Sequence, residues 1–207
     1  MTPIGRLHVL TDFSFQQRLS HSDLTRLAIQ GGAEVIQFRQ KHGRVRDWIP
    51  EAIAVREVCK AAGVTFLIND RVDLAQVVEA DGVHLGQEDI PAGEVRRILG
   101  PNAIIGVTTP NKTLALQAKR DGANYVGFGP VFVTRSKSNP TSVQGISGLT
   151  AFCVDADLPV IAIGGITVEG ACEAIAAGAH GVAVMTAVSL AQYPELEAQK
   201  FQLALRG

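Results

Sequence analysis

The sequence predicts an α/β protein, a single closed (β/α)8 barrel, and three observations carry that expectation. Short β-branched runs alternate with longer alanine-rich amphipathic runs along the 207 residues, the pattern of repeated βα units. The apolar runs are continuous rather than alternating, as parallel strands covered on both faces require. Eight such units follow one another with no second compositional regime and no G-x-G-x-x-G after the first strand, which favours closure over an open doubly wound sheet. One domain over 1–207 is therefore expected.

In chain order, the strands are read as LHVL (7–10), VIQF (35–38), TFLI (65–68), GVHL (82–85), AIIGV (103–107), YVGF (125–128), PVIAI (159–163) and GVAV (181–184). Ser22-Asp23 offers an N-cap to the first helix, and Pro91 suits the first turn of the helix after strand 4. The glycines at Gly31-Gly32, Gly122-Ala123 and Gly178-Ala179 supply left-handed stops before the following strands. A last helix is expected over about 195–205. Residues 129–145, GPVFVTRSKSNPTSVQG, form a connection long enough to be a lid or binding loop.

Composition narrows the function classes. With 46% hydrophobic residues the chain can bury one sizeable core, and a formal net charge of −1 gives no global field for nucleic acid or membrane. The start, MTPIGRLHVLTDF, lacks the basic and apolar regions of a secretory signal, and no apolar run reaches about 18 residues. Cys59, Cys153 and Cys172 are widely spaced in helix-like segments, consistent with reduced core cysteines in a cytoplasmic protein.

In such a barrel the reacting groups stand at the C-terminal strand ends. Strand 2 ends QFRQK, where Gln37, Arg39 and Lys41 alternate and so aim one way, two cations and an amide suited to a phosphate or pyrophosphate. Strand 3 ends Asn69-Asp70 and strand 4 leads into Gly86-Gln87-Glu88-Asp89. Adjacent strands lie about 5 Å apart, so Asp70 and Asp89 can approach one hard cation, Mg²⁺ shared with a substrate phosphate. The alternative for each carboxylate is a helix cap. His84, inside strand 4, is read as a hydrogen-bonded core residue behind the site rather than a ligand. Strand 5 ends Thr108-Thr109, and the long loop carries Thr134, Arg135, Ser136 and Lys137. Bare backbone N–H groups at Gly164-Gly165 and at Met185-Thr186 suit a second phosphate.

These motifs resemble the thiamine phosphate synthase family over nearly the whole chain: QFRQK, INDRVDLA, ADGVHLGQED, IIGVTT, GFGPVF, the T-x-S-K loop, AIGGI and GVAVMTAV. The resemblance implies a (β/α)8 enzyme, a transferase, that joins hydroxymethylpyrimidine pyrophosphate to hydroxyethylthiazole phosphate and releases pyrophosphate. It implies that Gln37, Arg39, Lys41, Asn69 and Thr108 contact the pyrimidine substrate, and Phe38 and Gln40 are counted as substrate-binding with the same segment. It assigns Thr134, Ser136, Gly165, Met185 and Thr186 to the surroundings of the thiazole phosphate, Lys137 to the pyrophosphate, and Asp70 and Asp89 to one Mg²⁺ per subunit; Arg135, in the same loop, is counted among the substrate-binding residues. Arg39, Lys41, Thr108 and Lys137 are the implied catalytic residues. Two small-molecule substrates are the expected partners, without nucleic acid or membrane, and a homo-oligomer is left open. Gln40 stands where the family commonly has Glu, and Val133-Thr134-Arg135-Ser136-Lys137 departs from the family's P-T-x-T-K. Two alternatives share the barrel: a thiazole tautomerase, which would need a histidine near Gly129-Pro130-Val131, and a non-catalytic barrel that binds thiamine phosphate.

Overall fold

The computed structural model describes residues 4–134, 136 and 142–206. Eight parallel strands close on themselves in sequence order: β1 (Leu7–Thr11), β2 (Val35–Phe38), β3 (Thr65–Asn69), β4 (Gly82–Leu85), β5 (Ile104–Thr108), β6 (Tyr125–Phe128), β7 (Val160–Ile163) and β8 (Gly181–Val184). The closing pair, β8 against β1, aligns Leu7 with Val182 and Val9 with Val184. The intervening helices are α1 (His21–Gln30), α2 (Val45–Ala62), α3 (Val72–Val77), α4 (Ala92–Leu99), α5 (Lys112–Arg120), α6 (Gly145–Asp155) and α7 (Val168–Ala176). After β8 come a short α8 (Thr186–Ser189) and α9 (Pro194–Ala204).

Two apolar layers hold this together. Inside the barrel, Leu10, Val35, Leu67, Ile104, Tyr125, Ile161 and Ala183 pack as one cluster. Outside it, the alternate strand positions, such as Val9, Ile36, Phe66, Val83, Ile105, Val126, Ala162 and Val182, pack against the helices. The period of two thus sorts each strand into an inward and an outward set. Both layers are nearly dry, which is why the strands read as continuous apolar runs.

Four strands have the boundaries read from the sequence, while β1, β3 and β5 each run one residue further, to Thr11, Asn69 and Thr108. A polar residue still pairs with its neighbour there: Asn69 aligns with His84, and Thr108 with Gly127. The cap of α1 is a correction. Ser20, not Ser22-Asp23, is the N-cap and accepts from the Asp23 N–H at 3.0 Å, because the helix starts at His21, whose side chain is buried and bonded to Thr11. The left-handed stops fall on Gly32, Gly122 and Gly178. Pro91 occupies the N-cap of α4. All three cysteines are free and helical, but Cys172 is exposed rather than in the core. No helix among the described residues is long and apolar enough to cross a membrane.

Candidate active site at the C-terminal mouth of the barrel

Val35 belongs to the interior cluster, so Gln37, two residues on, also faces inward and is buried. Arg39 follows at the rim, where its guanidinium is ion-paired with Asp12, a carboxylate with no exposed surface just past β1. The other Asp12 oxygen accepts from the Ser14 N–H at 2.8 Å, so both oxygens are engaged. Burial lowers the Arg39 pKa, and the negative charge of Asp70 makes up only part of that loss. Lys41, beyond Arg39, is ion-paired with Asp70 itself. Two cations on one strand end therefore meet carboxylates from β1 and β3.

The side chains of Phe38 and Gln40 pack or bond away from the groups at the mouth, which leaves their backbone groups as the part of these residues that faces it. Phe38 has the opposite parity to Gln37 and lies between barrel and helices, its ring 4.4 Å from that of His21. The Gln40 amide donates to the His42 carbonyl at 2.8 Å, within its own loop.

Asp70 has a left-handed backbone, φ 61°, immediately after β3, and its N–H donates to the His84 carbonyl at 2.8 Å. That bond continues the β3–β4 ladder by one residue while turning the carboxylate over the mouth. Asp89 closes its own turn, its carboxylate accepting from the Gly86 N–H at 2.6 Å. Neither is a helix cap: the cap positions of α3 and α4 are Arg71 and Pro91, without side-chain capping bonds. Burial raises the Asp89 pKa, and the facing Asp70 carboxylate raises it further, against the lowering by the Gly86 bond and the Lys41 charge.

Two carboxylates that repel one another at strand ends, with oxygen donors alone, fit a hard divalent cation. Among the described residues no group of three or more His, Cys, Asp or Glu forms a closed metal cage. Asp70 and Asp89 could therefore hold Mg²⁺ only with water or substrate oxygens completing its shell, the usual arrangement for that ion.

Behind these groups, His84 connects two strands. Its Nε2 lies 2.8 Å from Thr108 Oγ1, and its Nδ1 lies 2.9 Å from the Tyr125 hydroxyl. Glycine makes the room: a Cβ on Gly106 would stand 2.1 Å from Tyr125 Cζ, and one on Gly127 3.1 Å from His84 Cε1. The Gln87 amide donates to the Thr108 carbonyl at 2.6 Å, tying the β4 loop to the end of β5.

On the far side, the β6 loop is laid across the β7 turn. Val131 N–H donates to the Ile163 carbonyl and Phe132 N–H to the Gly164 carbonyl, both at 2.9 Å. A Cβ on Gly165, φ 67°, would stand 2.3 Å from the Val133 carbonyl oxygen, so glycine is required here by the loop above it. Thr134 and Ser136 are partly buried along this edge, with Ser136 N–H donating to Thr134 Oγ1 at 3.3 Å. Met185 packs against the interior cluster, and Thr186 opens α8. Arg135 and Lys137 lie outside the described residues.

Asp12, Gln87 and Tyr125 were not singled out from the sequence. Asp12 had a signal, since Thr11-Asp12 after β1 repeats the strand-end polar–acidic pair of Asn69-Asp70. Tyr125 had none, because a tyrosine in an apolar strand reads as core. A groove of about 720 Å³, lined in part by Cys59, Ala75 and Leu99, opens at the opposite end of the barrel and contains none of the mouth residues.

A closed eight-stranded barrel with its cations and carboxylates gathered at the C-terminal rim defines a (β/α)8 enzyme acting on small molecules. A family model described as thiamine monophosphate synthase matches residues 7–188. The chain is 52% identical over 204 residues to a thiamine-phosphate synthase of Salinibacter ruber, covering 99% of this chain and 90% of that protein. A thiamine-phosphate synthase of Chloroflexus aurantiacus is 45% identical over 183 residues, 88% of this chain and 84% of that protein. The solved thiamine phosphate pyrophosphorylase from Pyrococcus furiosus superposes with a TM-score of 0.87 at 34% identity, over 97% of this chain and 95% of that one. The chain belongs to the thiamine monophosphate synthase family, transferases of thiamine biosynthesis.

Proposed function

We propose that this chain condenses hydroxymethylpyrimidine pyrophosphate with hydroxyethylthiazole phosphate to give thiamine phosphate and pyrophosphate. The observation that carries this reading is the convergence of Arg39, Lys41, Asp70 and Asp89 on one rim, where Lys41 is ion-paired with Asp70, Arg39 feels the Asp70 charge and Asp89 faces both Asp70 and Lys41.

Gln37 and Asn69, inward at the tops of β2 and β3, orient the pyrimidine over the barrel. Its C–O bond to pyrophosphate breaks first, because the aminopyrimidine ring spreads the positive charge onto its exocyclic nitrogen. Arg39 and Lys41, with Lys137 from the long loop, stabilise the negative charge gathering on the departing pyrophosphate, a preorganised electrostatic role. Asp12 limits the swing of Arg39, which reduces the reorganisation needed at that moment. Thr134, Ser136, Gly165 and Thr186 hold the thiazole phosphate, so that the ring nitrogen is aimed at the cation; positioning supplies the rest. The nitrogen lone pair forms the new C–N bond, and with no proton on that nitrogen the reaction needs no general base. One Mg²⁺ per subunit, held by Asp70 and Asp89, supplies Lewis-acid charge neutralisation to the pyrophosphate when bound. The reaction is placed in the cytoplasm with its soluble substrates.

The test is an end-point assay with purified protein, both substrates and Mg²⁺, and an EDTA control, following thiamine phosphate. Metal-dependent product supports the proposal. Folded protein that leaves both substrates intact would overturn it.

A further inference from the structure

The Tyr125–His84–Thr108 chain fixes more than position. Tyr125 is buried inside the barrel at 1% exposure, and among the described residues its hydroxyl has one hydrogen-bond partner, His84 Nδ1 at 2.9 Å. For a neutral imidazole, two hydrogen-bond polarities fit the heavy atoms. In one, His84 Nδ1–H donates to the Tyr125 oxygen and Nε2 accepts from the Thr108 hydroxyl. The buried phenolic hydrogen then has no acceptor, which costs its desolvation without recompense. In the other, the phenol donates to Nδ1 and Nε2–H donates to Thr108 Oγ1, so the one hydrogen left over is that of the Thr108 hydroxyl, which is only partly buried at the strand end rather than sealed in the barrel. Burial also raises the Tyr125 pKa, so the phenol keeps the proton it must donate.

We infer that Tyr125, through His84, sets Thr108 as a hydrogen-bond donor toward the mouth. The Thr108 oxygen accepts from His84 Nε2–H, which leaves its own O–H to point at a ligand. Threonine without this partner would serve equally as donor or acceptor. A donor suits an oxygen that gains negative charge and disfavours a centre that gains positive charge, so Thr108 is matched to the departing anionic group rather than to the carbocation. Tyr125 and His84 are positioning residues in this scheme, and only Thr108 touches the substrate. The strands carry the space for it, since Gly106 leaves room for the phenol and Gly127 for the imidazole and the Thr108 hydroxyl. The ligand side of the inference rests on the proposed synthase reaction, whereas the polarity of the chain does not.

The polarity is read directly by ¹⁵N NMR of protein labelled at its five histidines, with His84 assigned by the signals lost in His84→Gln. A neutral ring protonated at Nε2 is expected in the wild type. A ring protonated at Nδ1, a tautomer mixture, or an imidazolium near neutral pH overturns the inference whatever the enzyme's substrate. In Tyr125→Phe the Nε2–H tautomer should give way to a mixture, and an unchanged spectrum would show that Tyr125 does not set it.

Turnover tests the ligand side. Tyr125→Phe should lower kcat about tenfold with the KM for thiazole phosphate unchanged, and should cost little further in a Thr108→Val background. Equal losses in the two backgrounds would assign Tyr125 to the fold alone. Thr108→Ser, which keeps the hydroxyl, should restore most of what Thr108→Val loses, and a failure to do so would remove the donor role. Should Tyr125→Phe not fold, the wild-type tautomer and the Thr108 pair still decide the matter.

Discussion

Asp12 and Arg39 form an ion pair across the tops of β1 and β2, with the carboxylate wholly buried and the guanidinium side chain 16% exposed. The arginine is thereby aimed before any substrate arrives. Its partner comes from a strand to which the sequence reading gave no role. Removing one member of a buried pair leaves the other uncompensated, at a cost of about 3 kcal/mol. Asp12→Asn would also turn an amide N–H toward the guanidinium. For a chain of this length we expect its melting temperature to fall by about 6–12 °C, with part of the loss restored by inorganic pyrophosphate. Unchanged melting would show that Arg39 finds another partner.

Asp70 gives the cleanest probe of the metal hypothesis because of its backbone. Asparagine tolerates the left-handed conformation nearly as well as aspartate does, so Asp70→Asn removes charge without adding strain. It should reduce kcat by roughly 10²–10³-fold, the range seen for the loss of a preorganised charge-stabilising group. The Mg²⁺ concentration for half-maximal rate should rise, and thiazole phosphate binding should change little. Parallel losses of binding and turnover would instead mean that Asp70 supports the fold.

Gly165→Ala separates the two halves of the mouth. The new methyl would meet the Val133 carbonyl and sit on a left-handed residue, so the loop over the β7 turn must lift. The expected result is a KM for thiazole phosphate raised at least about tenfold, with the Mg²⁺ response intact; the size follows from about 1.4 kcal/mol of lost positioning. Titrating both ligands against the variant checks it.

Acid sensitivity follows from two buried histidines. Burial lowers the pKa of His8 from 6.5 to about 3 and of His21 from 6.5 to about 4. Each is therefore neutral when folded, while the unfolded chain takes up a proton below about pH 6.5. Between the folded and unfolded values the unfolded state binds more protons, so stability rises with pH and falls on acidification. Going from pH 7.5 to pH 5 should cost about 2 kcal/mol per histidine. Denaturant unfolding at the two pH values measures it, and His21→Gln should remove about half of the difference.

Most of the barrel was legible because each strand is apolar on both faces and each helix ends in a glycine or polar turn. The strand-end carboxylates and cations were legible for a related reason: a period of two followed by a polar residue says which way a side chain leaves the sheet. Asp12 was missed although Thr11-Asp12 has the same form as Asn69-Asp70, since no neighbouring motif drew attention to it. Phe38 and Gln40 were assigned with their segment rather than by parity, and parity sends Phe38 to the helix layer. Tyr125 was not legible at all. Its role depends on Gly106 and His84, which belong to other strands, and only closure of the barrel brings them together.

That dependence has an evolutionary side. A Cβ at position 106 would overlap the Tyr125 ring at 2.1 Å, so the two residues are one unit split between neighbouring strands. Neither can drift alone: filling the glycine expels the phenol, and shrinking the phenol opens a void beside His84. A lineage that abandoned this chemistry would be free to change both together. The glycine at the centre of β5 and the tyrosine at the head of β6 are thus one steric unit, which a change at either position alone would break.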